Sequence, residues 1–185
     1  IRLLQGDVGS GKTVVAFLSI LISIDNNYQS CLVAPTEILA FQHFKNFKDK
    51  FENLGLVVKV LTGSTKLSDR KILLNDLKNG SINLLIGTHA IFEQNVIFNN
   101  LGYAVIDEQH RFGVKQRSKI WEKNNPPPHV LIMTATPIPR TLTMSLYGDL
   151  DLSIIDELPP GRKDVITVHR KDKNRLKVFG FIRDQ

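Results

Sequence analysis

The sequence predicts an α/β fold, a mainly parallel sheet flanked by helices on both faces, and three observations carry that expectation. Short apolar runs alternate with longer stretches of helical period, the order in which a chain lays down successive strand and crossover-helix units. Runs such as Leu84-Leu85-Ile86 and Ala104-Val105-Ile106 are continuously apolar, as strands covered on both faces are. Finally, 42% of the 185 residues are apolar and one is cysteine, which is enough for a buried core and excludes a disulfide framework.

The first strand is read at residues 1–4, where the apolar run stops at a glycine-rich stretch. Ile1 at the head of that run reads as the start of a fragment rather than a natural start. A helix follows over 12–24. Its apolar span, 14–24, is interrupted only by two serines and is too short to cross a bilayer, which needs about 20 residues, so it reads as a buried helix and no membrane is implied. The second strand, 31–34, contains Cys31 as a small buried hydrophobe. The next helix, 37–51, carries Phe41, Phe44, Phe47 and Phe51 at helical spacing, a core stripe rather than a base-stacking platform. Strands at 57–61, 83–87 and 103–107 and a helix at 68–79 continue the alternation. A helix at 115–123 ends before Pro126-Pro127-Pro128, an extended connector into the strand at 131–134. A helix at 140–147 and a seventh strand at 152–155 complete the series. Leu158-Pro159-Pro160-Gly161-Arg162 then breaks it. The expected organisation is one domain over 1–158, a linker over 159–163 and an incomplete second domain over 164–185, with one strand at 165–168 and a helix beginning near Asn174.

The net charge of +6 is uneven. Residues 1–110 hold 10 Lys/Arg and 10 Asp/Glu, whereas residues 111–185 hold 14 and 8, so the whole excess lies in the second part. Such a basic portion could face a polyanion or be a solvated surface. Five scattered histidines and one cysteine give no zinc-site spacing.

The strongest chemical signal is Gly6-Asp7-Val8-Gly9-Ser10-Gly11-Lys12-Thr13, a G-x-x-x-x-G-K-T string between the first strand and the first helix. That is the context a nucleotide phosphate loop requires. Its glycines let successive N–H groups turn toward phosphates at a helix N-terminus, Lys12 reaches the β and γ phosphates, and Thr13 offers its hydroxyl to Mg²⁺. ATP with Mg²⁺ is the cofactor set this implies. A second metal-side carboxylate is needed at the end of a neighbouring strand, and Asp107 is in that position. Glu108, beside it, is placed to deprotonate the attacking water, so the two acids divide metal binding from base catalysis.

With the phosphate loop, Asp107-Glu108-Gln109-His110 and Thr134-Ala135-Thr136 resemble motifs I, II and III of superfamily 2 helicases, whose motor is a pair of RecA-like lobes. Motif Ia of that family is matched by Ala34-Pro35-Thr36-Glu37-Ile38-Leu39-Ala40 followed by Gln42-His43, and further matches are Thr62-Gly63-Ser64 and Gly87-Thr88-His89-Ala90. The longer strings through Asp107–Val114 and Thr134–Leu142 resemble the RecG family of bacterial ATP-dependent DNA helicases, which remodel stalled forks and branched DNA. The transcription-repair coupling factor, a close relative, usually has Glu where this chain has Gln109.

The resemblance implies a RecA-like P-loop NTPase lobe, the first of two. It implies DNA contacts from Thr36, Gly63, Thr88 and His89, made mainly to phosphates, although His89 could equally be bonded within the fold. Gln109 and His110 would relay the state of the γ phosphate to Thr134 and Thr136. Those two threonines read without the family as a helix cap and turn. Arg140 is assigned either to DNA or to the other lobe. The resemblance further implies an upstream wedge domain and a second lobe with an arginine finger; the bacterial cytoplasm is the expected location, and the sequence leaves the oligomeric state open, with a monomer as the default. Two other readings stand beside it: a coupling-factor translocase lobe, and a nucleotide-dependent binding module without motor action.

Overall fold

The computed structural model describes residues 1–108, 119–136, 150–157 and 167–183. The elements run β1 (Arg2–Gly6), α1 (Lys12–Asp25), β2 (Gln29–Val33), α2 (Glu37–Glu52), β3 (Val58–Leu61), α3 (Leu67–Lys78), β4 (Leu84–Gly87), a 3₁₀ turn (His89–Phe92), β5 (Leu101–Asp107), β6 (His129–Thr134) and β7 (Asp151–Ile155). A second 3₁₀ turn (Asp172–Asn174) leads into α4 (Arg175–Arg183).

All seven strands join one sheet in the order β3-β4-β2-β5-β6-β1-β7, and every pairing is parallel. Crossovers between parallel strands are right-handed, so a connection that reverses direction along the sheet must move its helix to the other face. The steps from β1 to β2 and from β2 to β3 go one way, and α1 and α2 share a face. The steps from β3 to β4 and from β4 to β5 go back, and α3 and the 3₁₀ turn cover the opposite face. The sheet is therefore sandwiched, as the continuously apolar strands require.

Successive residues of each strand feed alternate cores. Cys31, Val33, Ala104, Ile106 and Ile132 pack with Leu73 and Leu77 of α3, while Leu32, Val105, Leu131 and Met133 pack with Ala16 and Ile20 of α1 and Phe47 and Phe51 of α2. The Phe17 ring meets Phe51 edge-on at 5.0 Å and Phe47 at 5.6 Å, locking the two helices together. Cys31 is wholly buried, and loss of hydration pushes its thiol up to about 12, so it packs as a hydrophobe. Gln29 opens β2 two residues before the apolar run. Its buried amide donates to Leu77 and Ile82 carbonyls at 2.9 and 2.8 Å and accepts from Asn99 and Asn100 N–H groups at 2.7 and 3.1 Å. Every hydrogen-bonding position that joins the amide to these neighbours is satisfied, which is why a polar residue is tolerated there.

Four expectations change. Helix α1 is buried only along Ala16, Ile20 and Ile24, and Val14, Leu18 and Ile22 are exposed, so apolar composition on all sides did not mean burial on all sides. Phe41 lies on the outer face of α2, leaving Phe47 and Phe51 as the buried part of the phenylalanine stripe. Of the helix read at 115–123, residues 119–121 are helical and 122–123 form a turn. Residues 167 and 168, the described half of the strand read at 165–168, are not in a strand. The helix at 140–147 and the linker at 159–163 lie outside the described residues. No helix among the described residues is long and apolar enough to cross a membrane.

Candidate active site

Because every strand points the same way, all seven carboxyl ends fall on one edge of the sheet, where ligands of open α/β sheets bind. Sheet order divides that edge in two. The phosphate loop, Asp107-Glu108 and Thr134–Thr136 follow β1, β5 and β6, three adjacent strands. Thr36, Gly63 and Thr88-His89 follow β2, β3 and β4, the adjacent three on the other side. Residues scattered through the chain thus form two neighbouring groups.

The phosphate loop curls on left-handed glycines, with φ of 83° at Gly9 and 95° at Gly11, a region that side-chained residues occupy at a cost. Gly6 is required for space, since a Cβ there would stand 2.5 Å from Ser10 Oγ and 3.1 Å from Ile155 Cβ. Helix α1 begins at Lys12 with no side-chain cap and no acidic residue in its first turn, so its leading N–H groups suit an anion. Lys12 Nζ lies inside the loop, donating to the carbonyls of Gly6 at 2.7 Å and Asp7 at 2.9 Å. The Asp7 carboxylate accepts the N–H of Val8 at 2.7 Å, stiffening the turn. Ser10 Oγ is buried against Gly6 with no hydrogen-bond partner among the described residues, an orphan polar atom within the loop. Thr13 is exposed on the first turn of α1. This donor set fits nucleotide phosphates.

Asp107 ends β5 in register with Met133 of β6. Its Oδ2 lies 2.9 Å from His43 Nε2, with side chains 14% and 10% exposed. At Glu108 the chain leaves the strand with φ of 49°, its N–H donating to Met133 O at 3.0 Å. That left-handed conformation in a glutamate is strain of the kind held at functional turns. Glu108 Oε1 accepts the Ala135 N–H at 3.2 Å, and the Thr134 and Thr136 hydroxyls lie 2.9 Å apart, with the Thr136 N–H donating to Thr134 Oγ1 at 3.2 Å. Asp107-Glu108 and the threonine segment are therefore joined through Glu108. Gln109, His110 and Arg140 lie outside the described residues.

In the other group, Thr36 caps α2, its hydroxyl accepting the Leu39 N–H at 3.3 Å. Gly63 and His89 are exposed. Thr88 is buried: it is 2% exposed, its N–H donates to Leu61 O, and its hydroxyl is enclosed without a partner among the described residues. The end of β4 packs closely against β3, since a Cβ at Gly87 would lie 2.1 Å from Leu61 O. Two residues escaped the sequence reading as site members. Glu37 accepts the N–H and hydroxyl of Ser64 at 3.1 and 2.7 Å, tying the start of α2 to the loop after β3 and holding its carboxyl below the usual range. His43 was legible as the polar residue in the buried stripe Ala40, His43, Phe47 and Phe51.

Residues 2–145 match the DEAD/DEAH box helicase family. The chain is 52% identical over its whole length to the ATP-dependent DNA helicase RecG of Aquifex aeolicus, covering 23% of that protein. It is 53% identical to RecG of Synechocystis over 98% of the chain and 22% of the relative, and 46% identical to RecG of Thermotoga maritima over 100% and 24%. The structure of RecG bound to a three-way DNA junction superposes with a TM-score of 0.84 at 43% identity, covering 98% of this chain and 24% of that one. A DEAD box protein of Methanococcus jannaschii shares the fold, with a TM-score of 0.60 at 22% identity over 83% of this chain and 45% of that one. The chain spans about a quarter of the length of the RecG relatives it matches. A parallel sheet that ends the phosphate-loop strand and the Asp107-Glu108 strand on the same edge, one strand apart, together with a match over residues 2–145, establishes that the chain belongs to the DEAD/DEAH box helicase family.

Proposed function

We propose that this chain is the first, ATP-binding motor lobe of a RecG-type DNA helicase, coupling ATP hydrolysis to translocation on branched DNA and its remodelling at stalled forks in the bacterial cytoplasm. The observation that carries this reading is the division of the sheet edge into a nucleotide group after β5, β6 and β1 and a second group after β3, β4 and β2. In it, Lys12 and the amides of Gly9 to Thr13 bind the phosphates, while Thr13 and Asp107 hold Mg²⁺. When bound, Mg²⁺ neutralises phosphate charge. Glu108 takes the proton of the attacking water, and its bond to the Ala135 N–H links that event to the threonine segment, alongside Gln109 and His110. Thr36, Gly63, Thr88 and His89 meet DNA phosphates. The lobe spans 1–158, followed by a linker at 159–163 and the opening of a second lobe from 164. In support, Leu176, Phe179, Phe181 and Ile182 of α4 are all exposed, as expected of a helix whose core partner is another domain.

An arginine finger from a second lobe is worth about 10³–10⁵ in rate, so residues 1–185 alone are expected to bind ATP and hydrolyse it barely at all. The test compares ATP turnover by the 185-residue chain and by the full-length protein, each with and without a three-way DNA junction. Strong junction-stimulated turnover by the chain alone, or none by the full-length protein, overturns the reading.

A further inference from the structure

His43 occupies a core-facing position of α2, between Ala40 and Phe47 in the buried stripe, where an apolar residue would be expected. Its ring lies against Phe47, with centroids 6.3 Å apart. A buried imidazole is costly to keep unless it is hydrogen-bonded, and the bond it makes is to Oδ2 of Asp107 at 2.9 Å, 64 residues away in sequence. An ionised carboxylate only accepts, so the proton of that bond belongs to Nε2. The Nδ1 atom is enclosed with no partner among the described residues, which leaves the contact to Asp107 as the evident reason for a histidine at this position. The side chain of Asp107 faces α2 because it alternates with Ile106, whose side chain joins the opposite core.

We propose that His43 is a positioning residue for the magnesium-side carboxylate: by donating Nε2–H to Oδ2 it fixes the Asp107 side chain, so that the other oxygen, Oδ1, is presented to Mg²⁺-nucleotide. This rests on the reading of Asp107 given above. Hydrogen-bond partners behind a ligating carboxylate hold its rotamer, and losing such a partner typically costs about 10–100-fold in metal affinity or activity. Glutamine can reach the place of Nε2 with an N–H donor, whereas phenylalanine keeps the ring packing and leucine keeps an apolar filler, both without the donor.

The test uses the full-length helicase with His43→Phe, His43→Leu and His43→Gln, each checked for folding by thermal melting. Affinity for a fluorescent ATP analogue is measured with Mg²⁺ and with EDTA, and ATP turnover is titrated with Mg²⁺. His43→Phe and His43→Leu are expected to raise the half-saturating Mg²⁺ concentration about 10–100-fold while leaving affinity in EDTA near that of the unsubstituted protein. His43→Gln is expected to recover most of the loss. A folded Phe or Leu variant with unchanged Mg²⁺ dependence overturns the proposal, and so does equal impairment of all three, because packing alone would then be at stake. Asp107→Asn, measured in parallel, separates the two claims: unchanged Mg²⁺ dependence there refutes Asp107 as the magnesium-side carboxylate, and the role of His43 falls with it.

Discussion

Replacing Glu108 by glutamine separates its contact to Ala135 from the base role proposed for it. The Oε1 atom accepts the Ala135 N–H at 3.2 Å, and a glutamine carbonyl can accept the same bond, so the turn joining the ends of β5 and β6 should survive. Basicity does not survive. A positioned general base contributes about 10²–10⁴ in rate, and at 1.36 kcal/mol per decade that is about 2.7–5.4 kcal/mol of barrier. Glu108→Ala removes the base and the bond together, adding a stability loss of about 1 kcal/mol for the unmade hydrogen bond. Single-turnover hydrolysis in the full-length protein should therefore fall about 10²–10⁴-fold in both variants, with ATP binding retained. Denaturant unfolding of the 185-residue chain should rank Glu108→Gln close to the unsubstituted chain and Glu108→Ala below it. Unchanged turnover in Glu108→Gln would show that another group takes the proton. Equal stability of the two variants would show that the contact to Ala135 carries no weight.

Three further outcomes are expected. In Gly6→Ala the new methyl meets Ser10 Oγ at 2.5 Å and Ile155 Cβ at 3.1 Å, overpacking worth about 1–3 kcal/mol, and equilibrium ATP binding should weaken accordingly; undiminished affinity would mean the loop yields freely. Cys31, its thiol pushed up to about 12 by burial, should resist a maleimide at pH 8 in the folded chain and react fully in denaturant, so prompt native-state labelling would contradict its packing. The Ser64 hydroxyl holds the Glu37 carboxyl below its ordinary value, so the stabilisation is present above the unfolded value and fades as pH falls through the folded one. The stability gap between the unsubstituted chain and Glu37→Gln should then be widest near neutral pH and narrow only as the pH falls below the ordinary glutamate value of about 4.3; a gap independent of pH would refute an ionic contribution.

What could be read directly were features written in contiguous residues. The alternation of apolar runs and helical stretches located all seven strands, because a strand buried on both faces must be apolar throughout. The phosphate loop was equally visible, since its glycines, lysine and threonine act within eight successive residues. Boundaries drifted where polar residues are buried, as at Gln29, whose four bonds to backbone groups substitute for hydrophobicity. Burial around α1 drifted too, because apolar residues encircle it while a single stripe meets the sheet.

The sequence by itself showed the seven strands of the sheet, the helices α1 to α3 between them, and the phosphate-loop string, and it offered Asp107-Glu108 as the acids to pair with that loop. Only the tertiary structure decided which of these segments are neighbours. Parallel strands must be connected by crossovers, so adjacency in the sheet departs from adjacency in the chain: β1 lies between β6 and β7, and β2 between β4 and β5. That order brings Glu108 to Ala135, Glu37 to Ser64 and His43 to Asp107, contacts spanning 27 to 64 residues. Thr88 is buried as well, a fact that no pattern around residue 88 records.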